Sequence, residues 1–425
     1  MAGVSGRAAI ILGAVVAGLG LAGPALAAGP APGSSLEELL QVVHRMNPEL
    51  AAATLEAEAA AARAEAAGRL PDPKFALKYD EWPRASPGYA PSISRFGTMR
   101  YELSQEIPLG GKRELRREQA LAEHRQSQGQ RQAAALDLAA RVKIVYAEYH
   151  QALKAIEQLG ALRGLVGRTG QSALARYGQS LGSQMEPLQA DLERRELEGE
   201  LVRMGLERQL AQVRLNALLN RPAGAPLSTT PRLRPLPPAA RLEPAALLER
   251  ARVANPGLQT QQARIDAADR GRDLADRSWY PDLGVGVGVV QKSSGVDSYE
   301  ALIELNIPLQ WGLRRAQQAE ATAMASAARS RLTQAERQLE SDLTEAVYRL
   351  RAALEREKIL RSGLVPQANS VLRSAAKAYE LGQGEFPAVL EAGRRLRTIQ
   401  LDQLRLQLEQ QVRLAEIERL IGGDL

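Results

Sequence analysis

Two hydrophobic periodicities alternate along this chain. Over most of it apolar residues recur every three or four positions, as in Val142, Val145, Tyr149, Ala152, Ile156 and Leu159, and again in Leu206, Leu210, Val213 and Ala217. That spacing is the seam of paired helices. In two windows, roughly 71–110 and 279–312, the period drops to two. There Phe75, Leu77 and Tyr79 alternate with lysines and alanine, and Met99, Tyr101, Leu103 and Ile107 alternate with Arg100, Glu102, Ser104 and Glu106. Leu283, Val285, Val287 and Val289 alternate with glycines, and Ala301, Ile303, Leu305 and Ile307 with Glu300, Glu304 and Asn306, Leu302 being the one exception. A period of two over about ten residues predicts strands with one apolar and one polar face. Each window therefore holds a hairpin, with strands at about 73–81 and 98–107, and at about 282–291 and 298–307.

The order of these elements occurs twice. Asn47-Pro48 returns as Asn255-Pro256, Pro71-Asp72 as Pro281-Asp282, Ile107-Pro108-Leu109 as Ile307-Pro308-Leu309, and Tyr177 as Tyr379, with offsets of 208, 210, 200 and 202 by subtraction. The chain thus reads as a first repeat over 28–220, a Pro-rich linker over 221–244 and a second repeat over 245–425. Each hairpin leads through Pro108 or Pro308 into a long helix, about 112–177 and about 313–379. At 1.5 Å per residue such a helix approaches ~100 Å and must pair along its length. Return helices follow at about 186–219 and 386–421. The Asn-Pro steps supply an N-cap side chain and a proline where the missing N–H costs nothing.

The first 27 residues carry Arg7, a run of small apolar residues and Ala25-Leu26-Ala27, the pattern of a cleaved export signal. An uncleaved N-terminal anchor is the alternative. The chain has no cysteine, hence no disulfide and no lipid-anchor thiol at the cleavage site. Its net charge of +6 is dispersed among alternating Arg and Glu on helix surfaces, which argues against nucleic-acid binding. After the signal no stretch is long and apolar enough for a membrane helix.

Export changes the reading of the hairpins. A small sheet lying on helices is the ordinary alternative. These strands, however, have membrane-spanning length, and Trp82, Trp279 and Trp311 flank them like an interfacial girdle. In lipid every strand edge must be paired, so further copies of the chain must close the sheet. Three copies of four strands would give a twelve-stranded barrel with an aqueous lumen. The fold class is accordingly an α + β membrane protein with internal duplication: coiled-coil helices forming an α-barrel tunnel below a trimeric β-barrel.

These motifs in this order resemble the TolC-type outer-membrane efflux proteins of Gram-negative bacteria, nearest to the branch serving heavy-metal and cation exporters. The matching segments are the Asn-Pro starts, the Pro-Asp steps at 71–72 and 281–282, residues 106–112 with 306–312, and the helix tips at 175–182 and 378–384. The resemblance implies a homotrimer set in outer-membrane lipid, a periplasmic adaptor docking on the tips and an inner-membrane pump supplying energy. Implied docking positions are Tyr177, Ser180, Gly182, Tyr379, Gly382 and Gly384. Where the family places acidic residues around the tunnel entrance this chain has Ala388 and Glu391, leaving Glu391 as the gate candidate. A solvent-exposed helix carboxylate is the plainer reading of that residue. Protein secretion or drug efflux are alternative duties for such a duct, and a periplasmic scaffold without a barrel is the alternative of another class.

No cofactor, metal or catalytic chemistry is expected. His44, His124 and His150 lie on helical segments without clustered carboxylates, and the six methionines are scattered. Gly284, Gly286 and Gly288 lie inside a strand and precede no helix, so they read as small residues on a lumen face and not as a nucleotide loop.

Overall fold

The computed structural model describes residues 32–80, 97–292 and 295–425. The segment read as an export signal and Trp82 lie outside the described residues. In the first repeat, α1 (Leu36–Met46) and α2 (Pro48–Ala67) lead to β1 (Lys74–Asp80) and β2 (Thr98–Pro108). The long α3 (Lys112–Gly178) and the return helix α4 (Met185–Leu218) follow. The second repeat runs α5 (Pro244–Ala254), α6 (Pro256–Asp276), β3 (Asp282–Lys292), β4 (Gly295–Asn306), α7 (Trp311–Ile359), α8 (Val365–Glu380) and α9 (Phe386–Leu420).

The Asn-Pro corners show how the repeat is built. Asn47 Oδ1 accepts from the Glu49 N–H at 2.9 Å, capping α2, while its Nδ2 donates to the Leu218 carbonyl at 2.8 Å. Asn255 does the same, accepting from the Leu258 N–H at 3.0 Å and donating to the Leu420 carbonyl at 2.8 Å. One side chain starts a helix and ties down the end of another, satisfying orphan groups at both termini. In each repeat, two shorter helices thus stack end to end alongside the long one.

One expected helix is not uninterrupted. The segment read as a single helix over 313–379 widens into a π turn at Leu360–Leu364, where the Val365 N–H reaches back to the Leu360 carbonyl. Pro366 explains the correction: it offers no N–H to Ser362, and its ring would crowd that carbonyl. The matching position in α3 is Gly164, and α3 continues unbroken for 67 residues.

The four strands form one antiparallel sheet in the order β1-β2-β3-β4. Phe75 lies opposite Leu103, Leu103 opposite Val287, and Val287 opposite Ala301. The period-two apolar residues therefore merge into one continuous face, and that face is uncovered: Phe75 is 68% exposed and Ile303 78%. On the opposite face Lys74 pairs with Glu106, Lys78 with Glu102 and Arg100 with Glu300. A Cβ added to Gly286 would lie 3.2 Å from both the Leu103 carbonyl oxygen and Ser104 Cβ, so a side chain there would press on the neighbouring strand.

Three apolar cores lie along the helices. One holds α1 against α3 and α4 through Leu39, Val142, Tyr146 and Leu215. Its counterpart in the second repeat uses Leu247, Leu343, Val347 and Ile417. The third, at the end far from the sheet, draws on both repeats at once through Leu159, Leu197, Tyr379, Phe386 and Leu396.

Candidate functional site

The two tips reverse the chain by the same device. Ser180 and Gly382 both adopt left-handed backbone, with φ of 59° and 72°. Behind them the Leu181 N–H reaches the Arg176 carbonyl and the Gln383 N–H reaches the Ala378 carbonyl, each at 2.9 Å. This is the helix-ending turn that glycine favours, and Ser180 occupies it with a side chain. Tyr177, Ser180 and Gly382 are exposed, whereas Gly182 and Gly384 are half-buried.

Tyr379 departs from its expected place on the docking surface. Its side chain is 1% exposed, with its ring edge-on to Phe386 at 5.3 Å and the Arg176 guanidinium 5.1 Å from its centroid. Its hydroxyl donates to Glu186 Oε2 at 2.7 Å. Burial, reinforced by that carboxylate partner, pushes the phenol well above its ordinary range, so it stays a neutral donor. Arg176 Nη1 also donates to the Tyr379 carbonyl at 3.0 Å. Tyr379 is thus a clasp between the tips of the two repeats.

A second clasp lies nearby in the chain. Glu193 on α4 is 2% exposed and accepts from Arg394 Nε at 2.6 Å and Arg397 Nη1 at 3.2 Å, both on α9. Reading the sequence did not single out Arg176, Glu186, Glu193, Arg394 or Arg397. Charged residues abound on these helices, and only the packing of α3 and α4 against α8 and α9 shows which of them meet. Glu391 is exposed and forms no ion pair among the described residues. Arg394 is held charged chiefly by Glu193, with smaller contributions from the Glu196 and Glu391 carboxylates.

The junction between sheet and helices is the third feature. Lys112 begins α3 yet is buried, and its Nζ donates to Asp282 Oδ1 at 2.8 Å and to the Tyr280 carbonyl at 2.7 Å. Gly110 makes the approach possible: it has φ of +70°, and a Cβ there would lie 2.7 Å from Tyr280 Cγ. Trp279, in a short turn before β3, is half-buried, and Trp311, at the start of α7, is 62% exposed. Both sit where the sheet meets the helices.

Among the described residues no group of His, Cys, Asp and Glu could hold a metal ion, and no helix is long and apolar enough to cross a membrane. His124 Nδ1 lies 3.1 Å from the Ala57 carbonyl. Burial, with Lys154 nearby, lowers the pKa of His150 below the ordinary value.

An amphipathic sheet with an uncovered apolar face, mounted on rods of long helices, defines the class: a membrane channel subunit. Known proteins give the family. Residues 39–221 and 247–423, one stretch in each repeat, match the outer membrane efflux protein family, and the chain belongs to it. Its fold is similar to that of the outer-membrane channel OprN, with a TM-score of 0.79 and 19% identity over 91% of this chain and 90% of that one. It is similar also to VceC of Vibrio cholerae (TM-score 0.77, 19% identity, 92% and 96% covered) and to CusC (TM-score 0.76, 16% identity, 91% and 92% covered). No curated protein matches the chain.

Proposed function

We propose that this chain is one protomer of a homotrimeric outer-membrane duct in a tripartite exporter, conducting heavy-metal cations or small toxic compounds delivered by an inner-membrane pump through a periplasmic adaptor. The observation that carries the reading is the sheet. Its apolar face is exposed across all four strands, and among the described residues no strand pairs with the outer edge of β1 or β4. In water such a sheet invites aggregation; in lipid, closed by other copies, its exposed face meets hydrocarbon and its polar face lines a lumen. Fractionation of cells producing the protein tests this. The expected result is a heat-labile trimer in the outer membrane, and a monomer in the soluble periplasmic fraction would refute it.

The tips supply the adaptor surface and the closure. Tyr177, Ser180 and Gly382 present exposed groups and backbone to a partner, with Gly182 and Gly384 shaping the turns beneath. Tyr379 holds the two tips together from inside. Opening the duct then means separating α4 from α8 and α9, which breaks the bonds of Glu186 and Glu193.

Glu391 is exposed on α9, and three copies of it around an axis would form a ring of carboxylates. Glu391→Ala should lower the preference for cations over anions in single channels in planar bilayers. Unchanged reversal potential and conductance would remove Glu391 from the gate.

A further inference from the structure

We propose that β4 pairs antiparallel with β1 of a second copy in one register, placing Ile303 opposite Leu77, Leu305 opposite Phe75 and Glu304 opposite Ala76. The inference rests on the duct reading and adds to it the residue-by-residue seam between protomers.

The internal duplication carries the argument, because its sequence offsets are also the offsets of the sheet. The first strands of the hairpins are related by 210 positions (Asp72 to Asp282) and the second strands by 200 (Pro108 to Pro308). Phe75 shifted by 210 is Val285, and its partner Leu103 shifted by 200 is Ile303; Val285 and Ile303 are themselves partners. Lys74 and Ser104 map in the same way onto Gly284 and Glu304, and Tyr79 and Met99 onto Val289 and Tyr299. The two hairpins therefore share one register, pinned at the same Pro and Asp corners.

The sheet contains one seam between repeats, from β2 to β3, and there Leu103 faces Val287, Gln105 faces Val285 and Ser104 faces Gly286. The corresponding seam between copies runs from β4 to β1. Applying the offsets, forward by 200 on one side and back by 210 on the other, converts these pairs into Ile303 with Leu77, Leu305 with Phe75 and Glu304 with Ala76. Pro108 facing Asp282 becomes Pro308 facing Asp72.

Faces and charges agree with this register. On the uncovered face Ile303 meets Leu77 and Leu305 meets Phe75, so that apolar face continues across the seam. Glu304 is exposed and forms no ion pair among the described residues. In this register it lies opposite Ala76, with Lys74 and Lys78 of the second copy at the diagonal positions, within reach of long side chains. The pairing is head-to-tail, so it generates a ring when the rotation closes.

Cysteine cross-linking in the full-length protein tests the register without background, since the chain has no cysteine. Directly opposed residues of antiparallel strands have Cα atoms about 4.5–5.5 Å apart, within disulfide range, whereas a slip of two residues adds about 7 Å along the strand. The double variants Leu77→Cys/Ile303→Cys and Ala76→Cys/Glu304→Cys cover both kinds of antiparallel pair. At least one should form covalent dimers and trimers on oxidation in membranes. The slipped pairs Leu77→Cys/Leu305→Cys and Leu77→Cys/Ala301→Cys should not. A slipped pair linking in place of the matched ones overturns the register. Failure of every pair in protein that native mass spectrometry shows to be trimeric overturns the register while leaving the duct standing. A monomer by that measurement overturns the duct reading and the seam together.

Discussion

Channels carrying Tyr379→Phe together with Glu193→Gln should conduct several-fold more current in planar bilayers than the unaltered protein. Phenylalanine keeps the ring in its pocket beside Phe386 and removes only the hydroxyl that donates to Glu186 at 2.7 Å. A hydrogen bond to a charged group is worth about 1.5–3 kcal/mol, and here it joins the tips of the two repeats. Glu193→Gln removes the buried charge that gathers Arg394 and Arg397 onto α4. Arg394 is partly exposed and can turn to water, so its share of the effect is small; Arg397, at 17% side-chain exposure, has less freedom. Together the changes should weaken the contacts between the tips of the two repeats by about 3 kcal/mol, enough to move a ratio of joined to parted tips by roughly two orders of magnitude. Intact trimers with unchanged conductance would show that these contacts are structural and do not limit passage.

Lys112→Met should lower the temperature at which the trimer loses its heat-resistant band by about 5 °C. The ammonium is the shared partner of Asp282 and the Tyr280 carbonyl, and the Leu109 N–H also turns toward Asp282, at 3.3 Å. Removing one member of a buried pair leaves the other charge without compensation, at a cost of about 3–5 kcal/mol. Replacing both partners, as in Lys112→Met/Asp282→Leu, should recover much of the loss, since neither charge is then stranded. If Lys112→Met melts with the unaltered protein, the junction is held by the strands alone. This lock occurs once per chain: Gly312 stands where the second repeat would carry its lysine.

Much of this organisation is legible in the residues because it is local. A strand declares itself by alternation, since successive side chains point to opposite faces. A corner declares itself by asparagine and proline, which satisfy and tolerate a helix start. Even the π turn had its residue in view, Pro366, although the unbroken pattern around it masked the consequence.

Seam direction was not legible. The α3 seam of Val142 and Leu159 and the α4 seam of Leu206, Leu210 and Val213 have the same spacing, yet the first is buried within the protomer and the second is exposed. Periodicity fixes an apolar stripe and says nothing of its partner. The tips differ for a related reason. Tyr177 and Tyr379 are equivalent in the repeat, but one is exposed and the other almost completely buried. Tyr379 packs beside Phe386 and Arg176 in the core that joins the two repeats, whereas Tyr177 lies outside that core.

The sequence by itself thus determined the duplicated order of elements, the amphipathic strands and the corners that join them, because short-range sterics and hydrogen bonding dictate each. Only the tertiary structure decided which charges lie between helices and become the clasps Tyr379–Glu186 and Glu193–Arg397, and which lysine locks the sheet to the rods. Those contacts join residues 168 to 204 positions apart, and their strength comes from the exclusion of water when distant helices pack.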